Sequence, residues 1–181
     1  MLELKTGDVL LLRKEDAPGA YTFIEKYLGK DFADKVASLE KHKYIHAEIY
    51  VGNGFILAGW FNGVKLLQPP LHYIAKFDIY RNSKMDDAKR YLMKKKVAKY
   101  FNAPYDFASL ILNGIPEVLS LGFEPLERYF EKQLPYSDPS KLICSELVAR
   151  LYKDIGIEIE ENPEFVTPDD IAENEYFSKI F

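Results

Sequence analysis

Residues 44–70 constrain the fold more tightly than any other part of the chain. Tyr44-Ile45-His46-Ala47-Glu48-Ile49-Tyr50-Val51 has the β-branched and aromatic content of a strand. It runs into Gly52-Asn53-Gly54, residues that accept the positive φ of a tight turn. Residues 55–60 form a second predicted strand, Asn62-Gly63 a second turn, and 64–67 a third strand. Pro69-Pro70 ends that strand, because proline has no N–H to give to a central ladder. A fourth strand is predicted over 77–80, returning to the sheet. Strands joined so closely must pair antiparallel, and the four are expected to form a meander.

Other elements flank this sheet. Residues 9–12 read as a short apolar strand opened by Gly7-Asp8. Residues 20–40 have helical spacing, with Tyr21, Ile24, Leu28, Phe32 and Val36 near one stripe. A helix is predicted over 86–101, basic on its exposed side and stopped by Asn102-Ala103-Pro104. That charge run reads as a solvated face. Another helix is predicted over 144–155, ended by Gly156. Thr167-Pro168 reads as an N-cap followed by proline at the first helical position of a short final helix. With no internal repeat, the 181 residues are expected to form one α+β domain, 1–181.

Composition removes several function classes. Net charge is −4, so non-specific nucleic-acid binding is disfavoured; it needs a basic surface to displace counterions. The single cysteine excludes an internal disulfide and a multi-cysteine zinc site. Val9-Leu10-Leu11-Leu12, flanked by Asp8 and Arg13, is too short for a secretory signal. No stretch reaches the roughly 18 uncharged apolar residues of a membrane span. A cytoplasmic protein with no integral membrane segment is therefore expected.

The chemistry centres on Cys144. It stands where the extended stretch Lys141-Leu142-Ile143 gives way to a helix. A thiol at a helix N-terminus feels the positive end of the macrodipole, which favours thiolate, and the free N–H groups there can bind an oxyanion. An inert buried cysteine is the ordinary alternative. Among the three histidines, only His46 falls inside a predicted strand. His42 lies in a charged run, and His72 follows Pro69-Pro70 in a predicted loop. A nucleophile at a helix start facing a base on a sheet strand is a workable pair, however far apart in sequence.

The run Ile45-His46-Ala47-Glu48-Ile49-Tyr50-Val51-Gly52-Asn53-Gly54 resembles the histidine strand of NlpC-type papain-like amidases, and Leu142-Ile143-Cys144-Ser145-Glu146-Leu147-Val148 their cysteine helix. Histidine before cysteine is the order of the circularly permuted, YiiX/YaeF-like branch, to which lecithin:retinol acyltransferase-like proteins are related. Thr6-Gly7-Asp8-Val9-Leu10, Pro104-Tyr105-Asp106-Phe107 and Val166-Thr167-Pro168-Asp169-Asp170 also fit that branch. The resemblance implies a permuted papain-like α+β fold, with an antiparallel sheet packed on helices. It implies a Cys-His-polar catalytic set, with no metal and no organic cofactor. The implied substrate is a peptide, amide or acyl lipid. The expected activity is a thiol amidase or peptidase working through a Cys144 acyl-enzyme, with His46 as general base. A lipid acyltransferase or esterase of the same fold, and an inactive binding module, are the alternatives. Tyr105 and Ser145 are candidate oxyanion or substrate contacts.

Two features depart from the family pattern. The family's third catalytic residue lies on the strand after the histidine strand, and its slot here holds Ala58. If Gly52-Asn53-Gly54 is a three-residue loop, Val51 faces Phe55, Tyr50 faces Ile56, Glu48 faces Ala58 and His46 faces Trp60. Glu48 then stands opposite the vacant slot, on the face of His46. Either the acid has moved across the ladder, or Glu48 is a strand-surface carboxylate in a weakened site. Secondly, 38 positions separate Asp106 from Cys144. The apolar insertion around 108–140 reads as a lid or acyl pocket, or as a helix pair extending the core.

Overall fold

The computed structural model describes residues 3–16, 43–60, 63–104 and 144–181. The expected helix over 20–40, the insertion over 108–140, and His42, Asn62 and Tyr105 lie outside the described residues. The described elements are β1 (Val9–Arg13), β2 (Tyr44–Gly52), β3 (Phe55–Trp60), β4 (Gly63–Leu67), a helical turn α1 (Leu71–Ile74), β5 (Phe77–Asn82), α2 (Asp87–Lys96), α3 (Cys144–Lys153), α4 (Pro168–Glu173) and β6 (Phe177–Lys179). The strands form one antiparallel sheet in the order β4-β3-β2-β1-β5-β6. The protein is α+β.

The expected four-strand meander needs correction. Only β2, β3 and β4 form it; β5 pairs with β1, on the other side of β2. After Pro69-Pro70 stops β4, the turn α1 carries the chain over to that side, and His72 lies in α1 rather than in an irregular loop. The crossing places Asp78 of β5 beside Arg13 of β1 and Tyr44 of β2, and groups Phe77 and Ile79 with Leu10. Burial and charge pairing at the new position outweigh the shorter connection to β4. The edge strand β6 has no counterpart in the sequence reading, because three residues show no usable alternation.

Alternation along the strands gives two apolar clusters. Val9, Leu11, Ala47, Ile49 and Leu57 join Leu147, Val148 and Leu151 of α3 in the larger one. Leu10, Ile56, Phe77 and Ile79 lie in the other. The segment before β1 is locked to β2, on the side where β1 pairs. Gly7 N–H donates to Tyr50 O at 2.8 Å, and Tyr50 N–H donates to Asp8 O at 2.8 Å. Gly7 needs to be glycine: its φ is +95°, and a Cβ would lie 2.5 Å from Met85 Cε.

Helix α2 is shorter than expected and passes into a 3-10 turn at Val97–Lys99. Lys94 and Lys95 are exposed, as a solvated face requires. Arg90 is different: its guanidinium donates to the Thr6 carbonyl. Lys99 and Tyr100 both bond the Asp154 carboxylate beyond the end of α3.

Candidate active site

The site lies where β2 and β3 part. Their register is Tyr50↔Ile56, Ile49↔Leu57 and Glu48↔Ala58. Nearer the loop, Gly52 rather than Val51 faces Phe55, and a one-residue irregularity absorbs the difference. The expected pairing of Val51 with Phe55 is therefore corrected. Positive φ at Gly52, Asn53 and Gly54 tightens the turn enough for that shift. The β2–β3 ladder ends at Glu48↔Ala58, while β3 continues along β4 as far as Trp60↔Gly63.

This divergence frees a backbone donor. Tyr50 turns its backbone toward the β1 side, bonding Asp8 and Gly7. Backbone groups alternate along a strand, so Ile49 and Ala47 face β3. Past the last ladder pair, the Ala47 N–H lies toward the Cys144 sulfur and favours its thiolate form. Cys144 is the first residue of α3, and the Ser145 N–H also supports the sulfur. The first N–H groups of a helix have no intrahelical acceptor, so Cys144 N–H is unclaimed by its own helix.

His46 completes the arrangement. It lies close enough to the Cys144 thiol for the two to shift one another's titration, and sits 3.3 Å, through Nε2, from Glu48 Oε1. Cys144, His46 and Glu48 are 3%, 8% and 0% exposed, so charges among them are poorly screened. Burial raises the thiol pKa, but the adjoining imidazolium, its hydrogen bond and the two backbone N–H groups outweigh that and hold Cys144 below its ordinary value. Burial likewise lowers His46, yet the thiolate charge and the bonds to Cys144 and Glu48 push it up to about 10. Both shifts favour a thiolate–imidazolium pair.

The structure thus brings Cys144, His46 and Glu48 together, with the buried Ser145 beside them. It also brings in a residue the sequence reading missed. Tyr73 of α1 donates its hydroxyl to Glu48 Oε1 at 2.7 Å. Nothing local marks Tyr73 among thirteen tyrosines, since its reach depends on the path of α1. Among the described residues, no group of three or more His, Cys, Asp or Glu side chains could hold a metal ion. No described helix is long and apolar enough to cross a membrane.

These features define an α+β chain with a thiol and an imidazole meeting at a split in an antiparallel sheet. Among solved structures, the chain is similar to metalloprotein yiiX from Escherichia coli O157:H7, DUF1105, at a TM-score of 0.61 and 13% identity, over 99% of this chain and 98% of that one. At that identity the shared property is the fold. No protein-family model and no curated protein matches the chain.

Proposed function

We propose that this protein is a thiol hydrolase of the permuted papain-like kind, cleaving an amide or peptide bond through an acyl-enzyme on Cys144. The observation that carries the reading is the buried Cys144 at the start of α3 beside His46, which Glu48 holds at 3.3 Å. The Cys144 thiolate attacks the carbonyl carbon, and the oxygen takes up the negative charge. The N–H of Cys144 is suited to receive that oxyanion. His46 gives its proton to the leaving amine, then takes one from the water that hydrolyses the thioester. Glu48 holds the imidazole through Nε2, and its charge favours imidazolium.

The likeness to yiiX in fold, together with the histidine-strand and cysteine-helix motifs, supports the permuted papain-like assignment. That neighbour is described as a metalloprotein. Among the described residues no group of three or more His, Cys, Asp or Glu side chains could hold a metal ion, and the steps above are carried by Cys144, His46 and Glu48. Transfer of a lipid acyl group would depend on residues 108–140, which lie outside the described residues.

Iodoacetamide provides the test. Cys144 should alkylate rapidly at pH 7, and mass spectrometry of a chain incubated with acyl esters should find the acyl group on Cys144. Cys144→Ala should abolish labelling and hydrolysis, with the melting temperature kept within a few degrees. A thiol that reacts only above pH 8.5 or so, the range of an ordinary cysteine, would defeat the reading.

A further inference from the structure

We propose that Tyr73 is a positioning residue for this site, holding the Glu48 carboxylate in place against His46. The inference rests on the proposed thiolate–imidazolium pair and deepens it.

Glu48 is fully buried in the middle of the sheet. Its cross-strand neighbours are apolar: Leu10 on β1 and Ala58 on β3. Neither can solvate a carboxylate. Among the described residues, the polar groups facing Glu48 are His46 from its own strand and Tyr73 from α1. Both act on Oε1, while Oε2 is buried without a partner. The carboxylate therefore hangs on one oxygen and two donors. Of the two, the Tyr73 bond is much the shorter, 2.7 Å against 3.3 Å. A hydrogen bond to a charged acceptor at that distance is the stronger kind.

Tyr73 is itself held from both sides. Its backbone N–H donates to Pro70 O at 3.0 Å. Its ring packs against Phe77, with centroids 5.1 Å apart. The Pro69-Pro70 stop and the start of β5 thus fix the turn that aims the hydroxyl at Glu48. Without that hydroxyl, His46 is the one described donor left on Glu48, and the carboxylate can turn away from the imidazole. A displaced Glu48 no longer orients His46 or supports its imidazolium form, and Cys144 loses that support in turn. Tyr73 acts on Cys144 only through Glu48 and His46.

The test compares the parent chain with Tyr73→Phe, Glu48→Gln and the double variant. The readouts are the pH–rate profile of iodoacetamide alkylation at Cys144 and the melting temperature. Tyr73→Phe keeps the ring against Phe77, so the fold should persist. The expected result is a rise of about one unit in the apparent thiolate pKa, read as a roughly tenfold fall in alkylation rate on the acid limb of the profile, below the parent's pKa. The double variant should match Glu48→Gln alone, since Tyr73 has no effect once the carboxylate is gone. A Tyr73→Phe profile identical to the parent's would overturn the proposal, as would losses that add in the double variant. If the parent Cys144 itself titrates as an ordinary thiol, the ion pair falls first, and the failure appears before any variant is compared.

Discussion

Cys144 and His46 are both buried, and burial acting alone would keep each uncharged. The interactions supplied by one to the other oppose that penalty and shift both toward their charged forms, with Glu48 and two backbone N–H groups assisting. Their titration belongs to the pair rather than to either residue. Hydrolysis needs His46 protonated to release the amine, so activity should fall on the alkaline side near pH 10, where His46 loses its proton. Glu48 raises that value; Glu48→Gln should move the alkaline edge down by about one unit and slow the reaction. Combining Glu48→Gly with Ala58→Glu should return activity, because the two positions face each other across the ladder. A pH profile of kcat for the three chains checks this; Glu48→Ala with full activity would show that the acid plays no part.

Single turns and caps set where the elements begin. Thr167 and Asp170 form a reciprocal cap on α4: Asp170 N–H donates to Thr167 Oγ1 at 3.2 Å, and Thr167 N–H donates to Asp170 Oδ2 at 2.8 Å. Pro168 at the first helical position surrenders no hydrogen bond. Helix α4 packs on β2 and β6, so its start is coupled to the strand that bears His46. Thr167→Ala should cost about 1 kcal/mol in urea denaturation, and Thr167→Ser should recover most of it. At α3 the same boundary physics serves chemistry, leaving N–H groups free beside Cys144.

Across the whole molecule, one buried carboxylate ties four strands together. Asp78 of β5 accepts from Tyr44 Oη of β2 at 2.6 Å and from Arg13 Nη1 of β1 at 3.0 Å. Lys179 of β6 approaches to 2.8 Å and Lys43 to 3.3 Å. Burial raises its pKa, but these partners outweigh that and lower it to about 2. Because the folded value lies below the unfolded one, near 4, the stabilisation is present above pH 4 and is lost as pH falls toward 2. It should be on the order of 1–2 kcal/mol, allowing for solvent screening at the half-exposed lysines. Asp78→Asn should lower the melting temperature at pH 7 and flatten its fall between pH 4 and pH 2. An unchanged acid profile would place the acid sensitivity elsewhere.

Local physics made much of this chain readable from its sequence. The period of two along residues 44–51 and the Gly52-Asn53-Gly54 turn were enough for the Glu48↔Ala58 register. Thr167-Pro168 marked the start of α4, and the change from extended to helical pattern marked Cys144 as the start of α3. Each of these depends on residues only a few positions apart. The tertiary structure alone decided that β5 crosses to β1, that β2 and β3 part beyond Glu48, and that Tyr73 lands on the carboxylate 25 positions away. Those outcomes follow from the path of the chain over the sheet. Burial and ion pairing among distant segments select that path, and no local periodicity carries that information.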